Sequence, residues 1–119
     1  MDLILNKKDD CFEALCDSAK RLIYDGDFNG CESLIAEAMR KNPHAPQPHN
    51  LMGVLFEIKD DHKTAMKHFR AAWSLDPAYR PARQNLNNFS SMYFRGAFVF
   101  DERDCPTGDG GFSFGEDKR

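Results

Sequence analysis

The chain lacks most of the features on which catalysis, metal binding, nucleic-acid binding and membrane insertion rest. No apolar run approaches the ~20 residues of a membrane span. Leu3-Ile4-Leu5 is too short for a signal-peptide core, and Lys7-Lys8 follow it instead of preceding it. No charge of one sign dominates: 16 Lys and Arg stand against 19 Asp and Glu, a net charge of −3. The excess sits in residues 101–119, with six acids and three bases, which leaves 13 of each in the body. A neutral body has no long-range attraction for phosphate, which argues against nucleic acid as a partner. Cys11, Cys16, Cys31 and Cys105 show no CxxC pair of the kind zinc or dithiol chemistry uses. His44, His49, His62 and His68 include no pair three or four residues apart, so no helix face collects a metal ligand set. Asp101, Glu102, Asp104 and Asp109 lack the alternation and closing glutamate of a calcium loop. Glycine-rich phosphate loops, nucleophile elbows and paired catalytic carboxylates are absent too. These absences predict a protein that is not an enzyme, takes no cofactor or metal, does not insert into membranes and is cytoplasmic.

What the chain does have is a period. Leu22, Asp27, Ile35, Ala38 and Pro43 recur 34 positions later as Phe56, Asp61, Phe69, Ala72 and Pro77. A fixed period of this size means stacked copies of one supersecondary unit, none of which buries its apolar face alone. Apolar residues at three- and four-residue steps predict amphipathic helices over 11–24, 28–41, 46–59, 62–75 and 80–94. Asp27 and Asp61 suit the N-cap, where a carboxylate accepts from free first-turn amides. Asn42-Pro43 and Asp76-Pro77 close the even helices, because proline disfavours helical geometry in the preceding residue. Pro46 and Pro81 fall in first turns, where a missing amide is harmless. Gly53 and Ala19 are placed for close approach of paired helices, with Ala65 and Cys31 as their small partners.

The second copy reads His49, Met52-Gly53, Phe56, Ala65, Phe69 and Asp76-Pro77. The first holds Leu15, Ser18-Ala19, Leu22, Cys31, Ile35 and Pro43 in the same slots, and a third begins with Ala82, Leu86, Phe89 and Tyr93 before stopping after one helix. In period and residue types this resembles the tetratricopeptide repeat. The resemblance implies an all-α fold, a right-handed superhelical stack of antiparallel helix pairs. Repeats would span about 12–45 and 46–79, with a capping helix at 80–95, an N-terminal extension at 1–10 and a flexible Phe- and Gly-containing tail at 96–119.

The resemblance also implies a concave groove, lined by the first helix of each pair, that holds a peptide or protein segment. The expected lining is Glu13, Cys16, Lys20 and Tyr24 from the first helix, Gln47, Asn50, Val54, Glu57 and Ile58 from the third, and Gln84, Asn88 and Met92 from the fifth. Amides and charges there would satisfy a peptide backbone, and Tyr24, Val54, Ile58 and Met92 would offer apolar anchor pockets. Chaperone-binding members of the family clamp a terminal carboxylate with Lys, Asn and Arg. The matching positions here are Cys16, Lys20, Leu51, Pro81 and Asn85, none with the required residue, so chaperone tails are not the expected ligand.

Trp73 is expected to pack on Ala82 and Leu86. Cys31 belongs in the core, Cys16 on the concave surface, and Cys105 is the thiol expected to be most exposed. His49 and His62 fill aromatic packing slots, and His68 belongs on a solvated face. The tail is odd for its four phenylalanines, Phe98 and Phe100, then Phe112 and Phe114. The favoured expectation is that it covers the apolar face left open beyond the fifth helix; a linear motif for a partner and a strand docked in a neighbour's groove are the others. The sequence thus predicts a non-catalytic interaction adaptor with an unidentified protein partner. The alternative is a self-associating scaffold, a homo-oligomer joined through its open solenoid ends.

Overall fold

A computed structural model of the chain describes residues 2–90 and 98–105, with side chains from Phe12 onward. It contains five α-helices, α1 (Asp2–Tyr24), α2 (Phe28–Lys41), α3 (Pro46–Ile58), α4 (His62–Leu75) and α5 (Arg80–Phe89), followed by a short 3-10 turn at Glu102–Asp104. Among the described residues there is no strand. The first helix starts at Asp2, well before the predicted residue 11, because neither glycine nor proline interrupts the chain between Asp2 and Tyr24. The predicted end of α5, at 94, lies outside the described residues.

The period is visible in the joints. Asp27 caps α2 by accepting from the Gly30 amide at 2.9 Å, and Asp61 caps α4 by accepting from Thr64 at 3.2 Å. Helices α2 and α4 end at Lys41 and Leu75, with Asn42 and Asp76 as C-caps just before each proline. The turns before the caps also match. Asp27 N–H donates to Leu22 C=O and Asp61 N–H to Phe56 C=O, both at 2.8 Å, across one left-handed residue. That residue is Gly26 in the first turn (φ 81°) and Asp60 in the second (φ 69°).

Consecutive helices pack on each other, and α3 also touches both α1 and α5, so the odd helices share one side. The core runs between the layers: Ala19, Cys31, Ile35, Leu51, Val54, Leu55, Ala65 and Phe69 are buried. Each large member contributes roughly 1.5–3 kcal/mol on burial. The predicted close approaches hold. The Cys31 thiol lies 3.6 Å from the Ala19 carbonyl, and Gly53 leaves the room in which the Phe69 ring lies. Trp73 departs from expectation, being 46% exposed. The slot against α5 is filled by Ala72 with Tyr79 and Ala82, and Tyr79 supplies the bulk expected from the tryptophan.

Candidate functional site

The shared side of the odd helices is occupied. Residues 98–105 of the chain itself lie across it, from α5 over α3 to α1. The tail therefore fills the predicted groove, not the face beyond α5. Residues 98–105 of the expected flexible tail pack against the helices, while Phe112 and Phe114 lie outside the described residues.

Two asparagines hold the segment by its backbone. Asn85 on α5 accepts the Val99 N–H at 3.0 Å and donates to the Val99 carbonyl at 2.8 Å. It also donates to Asn50 Oδ1 on α3 at 2.8 Å. Asn50 donates to the carbonyls of Val99 and Phe100, at 2.9 and 3.2 Å. Both asparagines are 0% exposed. A buried amide without partners is strongly unfavourable, and here the polar groups of both side chains have them.

Side chains of the segment meet the helices on either side of this clamp. Phe98 stacks on Phe89, with ring centroids 5.3 Å apart, and Phe89 stacks on Phe69 at 6.1 Å. The column ends at Gly53, so the missing Cβ there seats the whole stack. Phe100 is buried with the Lys20 ammonium 4.9 Å from its ring centre. Asp101 is buried and accepts from the Arg103 backbone at 2.9 Å and from its guanidinium at 2.6 Å. Burial alone would raise the Asp101 carboxyl, but the Arg103 hydrogen bonds and the Cys16 thiol hold it below the usual range. Ion pairs fasten the rim: Arg103 with Asp17 at 2.9 Å, Arg80 with Glu102 at 2.9 Å, and Lys20 with Asp104 at 3.5 Å.

The predicted lining divides three ways. Asn50 and Lys20 contact the segment as a groove residue should. Glu13, Cys16 and Gln47 border a cleft of about 190 Å³ beside it, with Phe12, Tyr79 and Phe100 in its walls. The Gln47 carbonyl and the Tyr79 hydroxyl are buried with no hydrogen-bond partner among the described residues. Cys16 is no surface thiol: it is 1% exposed, and burial together with the Asp101 carboxylate pushes it up to about 12. Cys105, expected to be exposed, is also buried and pushed up to about 11, chiefly by that burial.

The remaining predicted positions do not line an open pocket. Val54 is wholly buried in the helix core, and Ile58 is half-buried against it. Tyr24 is 79% exposed at the end of α1, which gives no anchor pocket. Glu57 turns to His62, and Gln84 donates to Asn88 at 3.0 Å along α5. Met92 lies outside the described residues.

Asn85, Phe89 and Asp17 were missed as groove residues. The signal for Asn85 was present, since Ala82, Asn85, Leu86 and Phe89 form one helical stripe, and a lone amide in an apolar stripe marks a buried hydrogen-bonding group. His68 was also misplaced. It is half-buried, stacked on Phe56, with its Nδ1 3.3 Å from His49 Nδ1. Burial lowers both histidines, and at His68 the neighbouring His49 lowers it further. Among the described residues no cluster of three or more metal-ligating side chains occurs, and no helix is long and apolar enough to cross a membrane. No protein-family model, curated protein or solved structure matches the chain.

Proposed function

We propose that this protein is a tetratricopeptide-like, non-catalytic adaptor that binds a peptide or protein segment in the groove of α1, α3 and α5. One observation carries the reading. The groove already holds a short non-helical segment, gripped through main-chain groups by two buried side-chain amides. Amides that bond backbone accept many sequences, and the flanking ring stacks and ion pairs add selectivity. The repeated caps, turns and left-handed positions 34 residues apart support the repeat assignment and its superhelical stacking.

Selection of displayed random peptides on the immobilised full chain tests this reading. Peptides should enrich on the wild type and lose binding on the Lys20→Glu variant, which reverses the charge over the Phe100 site. Failure to enrich any peptide above a blank surface, both on the wild type and on a folded Val99→Pro variant that unseats the chain's own segment, would remove the adaptor reading. Self-association is the second reading, and its support is the exposure of Trp73 and Leu75 near the end of α4. A mass that rises with concentration and falls back in Trp73→Ser would favour it.

A further inference from the structure

We infer that residues 98–101 are an internal stand-in for the partner, and that the groove selects a segment reading aromatic, aliphatic, aromatic, aspartate. The inference rests on the adaptor reading and gives the ligand its chemistry. The two ring positions have readers on the helices, and the residue between them is held by its main chain. The aspartate is buried beside the helices while it pairs with the arginine two residues on. The first aromatic takes the place of Phe98 on the Phe89 ring. The aliphatic residue sits where Val99 does, and both of its main-chain groups pair with Asn85. The second aromatic lies under the Lys20 ammonium, as Phe100 does. The aspartate enters the buried place of Asp101 beside Cys16.

Three features mark this segment as a ligand and not as a sixth core element. Its main chain is fixed by two side-chain amides and not by helix or strand bonds, although Phe98, Val99 and Phe100 also pack on the helices. An amide-lined groove stays soluble when empty, because water can take every hydrogen bond the segment gives up. Its rim contacts are solvent-exposed ion pairs, which add little to affinity. Finally, only eight residues separate it from Phe89 in the sequence, so segment and groove belong to one chain. Segments joined in one chain meet at an effective concentration on the order of 1 mM. If the free segment binds with a Kd of about 10–100 µM, the groove is closed about 10- to 100-fold over open, and a partner's apparent affinity falls by that factor.

The full chain carrying Val99→Pro supplies the test. Proline removes the N–H that Asn85 accepts and leaves every groove residue intact. A fluorescein-labelled peptide of the sequence Phe-Val-Phe-Asp-Glu-Arg-Asp is titrated by anisotropy into wild type, V99P, and V99P with Asn85→Ala. The expected result is binding to V99P, at least about tenfold weaker binding to wild type, and at least about tenfold weaker binding to the double variant. A scrambled peptide should not bind. Equal binding to wild type and V99P, or no preference over the scrambled peptide, would overturn the inference. Circular dichroism checks that V99P is folded. If it is not, hydrogen exchange of the wild type decides: the Val99 amide should be at least about 100-fold less protected than that of Leu55, and equal protection would make the segment an integral part of the core. A folded V99P that binds selected peptides of other patterns, but not this one, removes the motif and leaves the adaptor. A folded V99P that binds no peptide removes both.

Discussion

Replacing Gly53 by Ala is the sharpest perturbation of the architecture, because two well-known effects have opposite signs there. Alanine for glycine inside a helix stabilises by about 1 kcal/mol when nothing else changes. Here the new Cβ would fall inside the contact distance of three carbons of the Phe69 ring, with Cζ at 2.9 Å. Ordinary carbon contacts lie near 3.5–4.0 Å, so the ring must retreat by about 1 Å. Phe69 is 0% exposed and backed by Phe89, which leaves it little room. Overpacking of a close-packed core typically costs about 1–3 kcal/mol, and a confined ring belongs at the upper end. The net expectation is a loss of about 2 kcal/mol, the difference between ~3 and ~1.

Urea denaturation followed by circular dichroism reads this directly, provided the slope is unchanged. Phe69→Leu should be destabilising alone but should relieve Gly53→Ala, with a coupling of at least about 1 kcal/mol in the double-mutant cycle. Because Phe69 supports Phe89 and Phe89 supports Phe98, Gly53→Ala should also speed hydrogen exchange at Val99. A variant as stable as the wild type, or strictly additive effects in the cycle, would refute the packing argument.

Asp60→Gly should stabilise by up to about 1 kcal/mol in the same assay, since a residue with a Cβ is strained at its left-handed φ of 69° and glycine is not. The His49–His68 pair predicts an acid-sensitive fold. Both side chains are lowered from 6.5, so the unfolded chain takes up protons first; their contribution is whole above pH 6.5 and is lost as pH falls through the folded values. The urea midpoint should drop between pH 7.5 and 5.5, and the drop should shrink in His68→Gln; an equal drop in that variant would assign it elsewhere. Cys16 and Cys105 should resist alkylation at pH 7.5, as mapped by peptide mass, and should label faster in V99P, which uncovers them. Fast labelling of both in the wild type would contradict their burial. Trp73 should be readily quenched by iodide, and a protected Trp73 would show that its exposed face is covered by a second copy.

The helices and their joints were legible because local chemistry decides them. The caps Asp27 and Asp61, the prolines at 43 and 77 and the small Gly53 act through contacts a few residues away or within one helix pair. The N-terminal stretch was read too short because an absent breaker is a weaker signal than a present one. The groove was only partly legible. The 98–105 segment lies across α1, α3 and α5, the helices expected to line it; Val54 is buried in the same hydrophobic cluster as Phe100, whereas Tyr24 is left to solvent because it sits in the last turn of α1. Asn85 and the 98–105 segment escaped for a different reason. Their pairing spans 14 residues, and a side-chain amide bonding a backbone group leaves no periodic trace.

The two asparagines explain why one groove can be both covered and useful. An apolar groove of the same size would gain more from its own tail, but with the tail released it would expose a patch prone to aggregation. Asn50 and Asn85 reverse that balance. Covered, they are fully buried and bonded to Val99, Phe100 and each other. Uncovered, they exchange those bonds for bonds to water at a net difference of only about 0.5–1.5 kcal/mol each. The apolar part of the site is confined to places for Phe98, Val99 and Phe100, so docking rests on three side chains and an amide clamp. On the proposed adaptor reading such a site is stable in both states, and a partner segment would be chosen by how well its rings and its aspartate replace those of the chain's own tail.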